Sequence, residues 1–102
     1  MRVAYSPRAV AQLEALYRYI ADDAGPRRAE NFVGSIVAYC DGLENFPLRG
    51  TKRDDIRPGL RITGFRRRIT MAFTVDDEVV TILGVFYGGQ DYDAVLQIVP
   101  DE

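Results

Sequence analysis

The stretch RITMAFTVDDEVVTILGVF, residues 68–86, predicts the centre of the fold. From Ile69 to Val75, larger apolar residues alternate with smaller or polar ones, which is typical of a strand with one buried face. Asp76 and Asp77 then predict a tight turn. The following EVVTILGVF is apolar at nearly every position, as in a central strand buried on both faces. We therefore expect two neighbouring strands of one sheet.

Just upstream lies GLRITGFRR, residues 59–67. It predicts a further strand, Leu60–Thr63, followed by a Gly-Phe-Arg-Arg turn. Arg61 alternates with two apolar neighbours, so its side chain points to the opposite face of the sheet. Residues 48–59 have no clean period and are rich in charged and turn-forming residues, which predicts a long loop.

The N-terminal part of the chain predicts a strand and a helix. RVAY (Arg2–Tyr5) has the composition of a short strand. Ser6 is a good N-cap and Pro7 suits the first helical position. The helix is expected to end near Ala24, at the breaker signal AGP.

A second helix is predicted from Pro26 to the Phe46-Pro47 dipeptide, about 20 residues and roughly 30 Å long. Both helices carry apolar residues at helical spacing. The predicted stripes are Val10, Leu13, Leu16, Tyr17 and Ile20 in the first helix, and Ala29, Phe32, Ile36, Tyr39 or Cys40, and Leu43 in the second.

The predicted order is β-α-α-β-β-β in a single domain, residues 1–102. An N-terminal helical hairpin would pack on one face of a small, mostly antiparallel, twisted sheet, which is an α+β fold. No long element is available to cover the other face, so we expect a partner to bind there or at its rim. The tail DYDAVLQIV is compatible with a short helix capped by Asp91 or with an extended segment.

The composition excludes several kinds of site. There is no histidine and one cysteine, Cys40, so Ser-His and Cys-His catalysis are excluded and a zinc site nearly so. We expect no metal and no cofactor. A single cysteine forms no intramolecular disulfide, and no signal peptide or membrane span is recognisable. These features predict a cytoplasmic protein.

The charges are unevenly distributed. The chain has a net charge of −2, yet residues 49–68 hold eight basic residues against two acids, and residues 69–102 hold seven acids and no base. The arginines either form a solvated sheet edge or bind an anionic partner. The candidate partner-binding residues are Arg57, Arg61, Arg66, Arg67 and Arg68, with Tyr87, Gln90 and Asp91 where the last strand ends.

In order, these segments resemble the ParE/RelE superfamily of toxins from bacterial type II toxin–antitoxin systems. The resemblance runs from YSPRAVAQLEALYRYIADDAGPRRAENF through LENFPLRGT to PGLRITGFRRRITMAFTVDDEVVTILGVFYGGQD. It implies growth inhibition, a role in plasmid stabilisation, and a cognate ParD-like antitoxin that forms a hetero-oligomer with the toxin. No membrane partner is implied.

The superfamily has two branches. ParE-like toxins act on DNA gyrase, with no known need for a catalytic site. RelE-like toxins are metal-independent endoribonucleases that cut mRNA on the ribosome; on that branch Arg61, Arg68 and Tyr87 are the nearest matches to the catalytic residues. The single lysine, the YGGQD ending in place of a more basic HGRRD-like one, and the long second helix favour the ParE-like branch. Direct nucleic-acid binding is expected only on the RelE-like branch. A third interpretation is a non-toxic homologue that only binds an antitoxin.

Overall fold

The computed structural model describes residues 1–88 and Leu96. Two helices pack on one five-stranded sheet of order β1-β5-β4-β3-β2. Strands β1 and β5 are parallel, and the other neighbours are antiparallel. This arrangement confirms the predicted α+β fold. The elements are β1 (Arg2–Tyr5), α1 (Pro7–Ala24), α2 (Pro26–Gly42), β2 (Thr51–Lys52), β3 (Leu60–Phe65), β4 (Ile69–Val75) and β5 (Val79–Tyr87).

The predicted start of α1 is confirmed. The Ser6 hydroxyl accepts a hydrogen bond from the Ala9 amide at 3.1 Å and donates one to the Leu83 carbonyl at 3.0 Å. The cap therefore also fixes the first turn of α1 against β5. As a result Ala9 is fully buried, whereas Val10, predicted to face the core, is 44% exposed.

Helix α2 is shorter than predicted, because it ends at Gly42 and not at the Phe46-Pro47 dipeptide. Beyond Gly42 the backbone continues in tighter turns, with the Asn45 amide bonded to the Gly42 carbonyl at 3.1 Å. Glycine is a poor helix former, which accounts for an end at Gly42, before the Phe46-Pro47 dipeptide is reached.

The main core lies between the helices and the front face of the sheet, as predicted. Leu13 and Leu16 of α1 and Ile36 and Cys40 of α2 are buried against β4 and β5. A second, smaller core covers part of the rear face. It contains Leu60, Ala72, Leu83, Phe86 and Leu96.

The register of β3 corrects one prediction. Arg61 is opposite Phe73 and Phe65 is opposite Ile69, so Arg61 and Phe65 share the front face with the helices. Arg61 does point away from the face of Leu60 and Ile62, as predicted. The expectation that the arginines line the face left open by the helices, or its rim, is wrong for Arg61. Strand β3 also runs to Phe65, whose ring packs 5.0 Å from that of Tyr39, and the turn follows at residues 66–68.

The segment predicted as a long loop contains one short strand. In β2, Thr51 pairs with Ile62 and Lys52 with Arg61. The segment has no hydrophobic periodicity of its own. Its strand forms only through pairing with β3, which a local sequence pattern does not reveal. The Asp76 turn forms as predicted, since its carboxylate accepts the Val79 amide at 2.9 Å. Within residues 1–88, no helix has the length and hydrophobicity needed to cross a membrane.

Candidate partner-binding site

Three arginines from two separate parts of the chain meet around one open pocket. Arg28 comes from the first turn of α2, and Arg66 and Arg68 come from the turn between β3 and β4. The pocket has a volume of about 480 Å³. We call it the arginine pocket; its remaining lining residues are Ile20, Ala24, Asn31, Phe32 and Tyr87.

The sheet places Tyr87 beside the arginine turn. Because β4 and β5 are antiparallel, the start of β4 lies next to the end of β5, and Ile69 pairs with Tyr87. The Gly88 amide donates to the Arg68 carbonyl at 2.7 Å and extends this pairing by one bond. On the α1 side, the rings of Tyr19 and Tyr87 lie 6.2 Å apart. Tyr87 is thus held between the turn and the helical hairpin.

The turn itself has an unusual backbone. Arg66 and Arg67 have φ values of 52° and 66°, in the left-handed region that glycine and asparagine occupy more readily. Each such residue costs on the order of 1 kcal/mol. The guanidinium of Arg66 lies over the Phe65 ring, 5.1 Å from its centroid. The strained turn therefore holds arginine side chains at the rim of the pocket.

Four other arginines of the basic stretch, Arg49, Arg53, Arg57 and Arg61, are bound within the protein. Arg53 forms a two-pronged ion pair with Asp55, at 2.9 and 3.0 Å, and these hydrogen bonds lower the pKa of that carboxyl. Arg57 donates to the Leu96 carbonyl at 2.8 Å. Arg61 donates to the carbonyls of Arg49 at 3.0 Å and of Leu48. These side chains fix loops and are committed to backbone, carboxylate or hydroxyl acceptors.

The guanidinium groups in the arginine pocket differ in this respect. Within residues 1–88 and Leu96, the side chains of Arg28, Arg66 and Arg68 make no hydrogen bond and no ion pair with protein groups. All three residues are exposed. Like charges that face one space without a counter-charge repel each other, and an anion relieves that repulsion. The pocket is therefore electrostatically suited to an anion.

Of the predicted partner-binding residues, the structure brings Arg66, Arg68 and Tyr87 together. Arg67 lies in the same turn but does not line the pocket, and Arg57 and Arg61 are bound elsewhere. The other two candidates, Gln90 and Asp91, lie outside the described residues, as does the predicted tail helix apart from Leu96.

Sequence reasoning missed Arg28. A signal for it exists, because Pro26-Arg27-Arg28 places two cations in the first turn of α2, where the helix dipole favours anions. Gly25, the N-cap, supplies no side-chain hydrogen bond there.

The three residues considered for a nuclease do not form one constellation. Arg68 and Tyr87 line the arginine pocket, but Arg61 does not. Arg61 lies opposite Phe73, four residues along β4 from Ile69, which is roughly 13 Å at the rise of a strand. A phosphodiester bound beside Tyr87 would be out of reach of Arg61.

A second exposed feature lies at the other end of the helical hairpin. Phe46 and Leu48 are 63% and 71% exposed, and together with Pro47 and Arg49 they surround a shallow apolar hollow. Arg49 lies over the rings of Tyr39 and Phe46, at 5.4 and 5.5 Å from their centroids. Adjacent exposed apolar side chains often mark contact surfaces.

Among the described residues, no group of three or more metal-binding side chains occurs.

The fold and the site together define a small α+β protein with an open basic pocket. Residues 3–92 match the family model described as "ParE toxin of type II toxin-antitoxin system, parDE". The chain therefore belongs to the ParE toxin family, as its sequence predicted.

A solved structure supports the same assignment. The chain is similar to one from a structure titled "Chromosomal ParDE TA system from P. aeruginosa", with a TM-score of 0.75 and 26% sequence identity. The similarity covers 86% of this chain and 96% of that one. No curated protein matches the sequence significantly.

Proposed function

We propose that this chain inhibits DNA gyrase in the cytoplasm and that a ParD-like antitoxin, bound in a hetero-oligomer, neutralises it. Its membership of the ParE toxin family, over residues 3–92, carries the proposal. The structural neighbour comes from a system with both a ParD and a ParE component, as its title states. An antitoxin partner for this chain follows by analogy with that system.

The placement of Arg61 argues against the catalytic trio expected on the nuclease branch. Arg61 is committed to backbone carbonyls, and Arg68 and Tyr87 lie in a pocket that lacks it. The pocket does gather three cations, Arg28, Arg66 and Arg68, so a ribosome-dependent endoribonuclease remains the alternative within the superfamily. Among the described residues, the arginine pocket and the exposed patch formed by Phe46, Pro47 and Leu48 are open to partners.

A supercoiling assay tests the proposal. Gyrase, ATP and relaxed plasmid are incubated with increasing amounts of the purified chain, and loss of supercoiled product is expected. Normal supercoiling at a large molar excess of folded protein would contradict gyrase inhibition. In parallel, a translating extract tests the alternative, because specific mRNA cleavage in place of gyrase inhibition would assign the chain to the nuclease branch.

Expression in bacteria separates a toxin from a non-toxic homologue. The chain alone is expected to arrest growth, and co-expression with a cognate ParD-like antitoxin is expected to restore it. Growth at the normal rate with folded chain present would support the homologue that only binds an antitoxin.

A further inference from the structure

The arginine pocket carries positive charge that nothing in the described chain neutralises. Arg53, by contrast, has a structural partner within the chain: its guanidinium donates two hydrogen bonds to the Asp55 carboxylate. Arg28, Arg66 and Arg68 make no such pair within residues 1–88 and Leu96. A planar guanidinium fork matches a carboxylate or a phosphate, so the ligand is expected to carry one of these groups.

Two of the arginines occupy positions that are unfavourable for folding. Arg28 adds a positive charge to the first turn of α2, where the helix dipole is already positive. Arg66 has a left-handed backbone with φ of 52°. Neither cost is offset by a hydrogen bond or an ion pair of that side chain with described residues. Arg27 and Arg67 share these costs. What distinguishes Arg28 and Arg66 is that they line the pocket, where an external anion can offset the cost.

The pocket has an apolar floor as well as a basic rim. Ile20, Phe32 and Tyr87 line it, and all three are half-buried and pack against the main core. Its volume of about 480 Å³ is much larger than a bare phosphate or acetate ion requires. A ligand that carries an apolar group next to an anionic group would fill the pocket and contact both its apolar floor and its basic rim.

The charge of the whole chain favours a protein over a nucleic acid as the source of the anion. A nucleic acid brings many phosphates, and its affinity depends on many cationic contacts. This chain has a net charge of −2, and its last 34 residues, 69–102, hold seven acids and no base. An acidic peptide presents one or two carboxylates and is repelled far less.

We propose that the arginine pocket binds the carboxylate of a glutamate or aspartate in a protein partner, with a neighbouring apolar side chain on the Ile20–Phe32–Tyr87 floor. The inference deepens the proposed function, since the antitoxin is the partner expected to supply that segment. Arg28, Arg66 and Arg68 surround the carboxylate, and Tyr87 contacts the apolar side chain.

NMR titration of the isotope-labelled full chain tests the proposal. The probes are the peptide acetyl-leucyl-glutamyl-leucine amide, its glutamine counterpart, inorganic phosphate and an eight-nucleotide oligothymidine. The glutamyl peptide is expected to shift signals of the pocket residues in a saturable way, with a dissociation constant on the order of millimolar. The glutaminyl peptide is expected to bind about tenfold more weakly.

The chain offers closely matched controls. Arg28→Gln and Arg68→Gln are each expected to weaken the glutamyl peptide about tenfold. Arg27→Gln and Arg67→Gln remove the same charge from the neighbouring position, outside the pocket lining, and are expected to leave binding within about twofold. All four residues are exposed, so the variants are expected to fold, and circular dichroism checks this.

Three results would overturn the proposal. They are equal binding of the two peptides, no saturable shift of pocket signals with either peptide, and binding of phosphate or oligothymidine in the pocket at least as tight as that of the glutamyl peptide. The last result would make the pocket a phosphate site. The titration uses neither gyrase nor an antitoxin. A failed titration therefore leaves the supercoiling result unaffected, and a failed supercoiling assay leaves the titration result unaffected.

Discussion

The Arg61 guanidinium donates a hydrogen bond to the backbone carbonyl oxygen of Arg49 at 3.0 Å. Its outer nitrogen also contacts the carbonyls of Leu48 and Gly50. Arg61 thus closes the segment between α2 and β2 onto the front face of β3. In this structure it acts as a loop clamp, in contrast to the open arginines of the arginine pocket.

The clamp predicts that Arg61→Ala lowers the free energy of unfolding by about 1.5 kcal/mol, because several carbonyls lose a charged donor. Arg61→Lys is expected to restore only part of this, since an ammonium group lacks the guanidinium fork. Urea unfolding measures both variants. Arg67→Ala, at an exposed position with no side-chain hydrogen bond in the described structure, should stay within about 0.5 kcal/mol. If Arg61→Ala matched that control, the clamp would have no energetic role.

The elements that the sequence predicted correctly are those with strong local sequence signals. The alternation in β4, the apolar run of β5 and the Ser6-Pro7 helix start are local properties of the chain, and each formed as expected. The expectation that Arg61 lines the open face of the sheet or its rim failed for a different reason. Both Leu60 and Arg61 alternate correctly, but sequence alone does not say which side of β3 the helices cover.

The candidate site depended even more on tertiary structure. Arg66 and Arg68 share one turn, whereas Tyr87 is distant in sequence and meets them only through the register of β4 with β5. Arg28 joins them only through the packing of the helical hairpin. Its neighbour Arg27 looks equivalent in sequence, and only the fold directs one of the two into the pocket lining.

The arginine turn predicts a stabilising substitution. Arg67 has φ of 66°, so Arg67→Gly relieves a strained backbone and is expected to raise the free energy of unfolding by up to about 1 kcal/mol. Arg67→Ala removes the same side chain but keeps the unfavourable dihedral angle, and it provides the control. Thermal unfolding of the pair measures the difference. Equal melting temperatures would show that the turn is not strained at this residue.

The buried thiol predicts a loss of stability in alkali. Burial raises the pKa of Cys40 from 9.0 to about 12. Above pH 9 the unfolded chain therefore releases a proton that the folded chain keeps, which favours unfolding. The free energy of unfolding is expected to fall by about 1.4 kcal/mol per pH unit from this group. The same measurement on Cys40→Ala should show a much smaller decline between pH 9 and 10, whatever its stability at neutral pH. A slope of the same size in this variant would assign the effect to another group.

Tyr5 extends this effect to higher pH. Burial and the 2.7 Å hydrogen bond that its hydroxyl donates to Asp41 both raise the pKa of Tyr5 above its usual 10.0. The folded chain keeps this proton above pH 10 and the unfolded chain does not, so the decline in stability should steepen there. Tyr5→Phe is expected to remove the steeper part and leave the Cys40 slope. It should also cost about 1 kcal/mol at pH 7, since the bond joins β1 to α2. An unchanged profile above pH 10 would contradict the role given to this hydroxyl.

Two glycine substitutions are expected to have opposite effects on stability. Gly50 has φ of 85°, and a Cβ at this position would overlap the Ile62 carbonyl group where β2 meets β3. Gly50→Ala is therefore expected to lower the free energy of unfolding by about 3 kcal/mol. Gly34 lies on the exposed side of α2, where an added Cβ meets nothing within 4 Å. Gly34→Ala should raise stability by about 0.5–1 kcal/mol, because alanine is the better helix former. Urea unfolding of the two variants in parallel measures both effects, and a tolerated Gly50→Ala would mean that β2 does not approach β3 as closely as described.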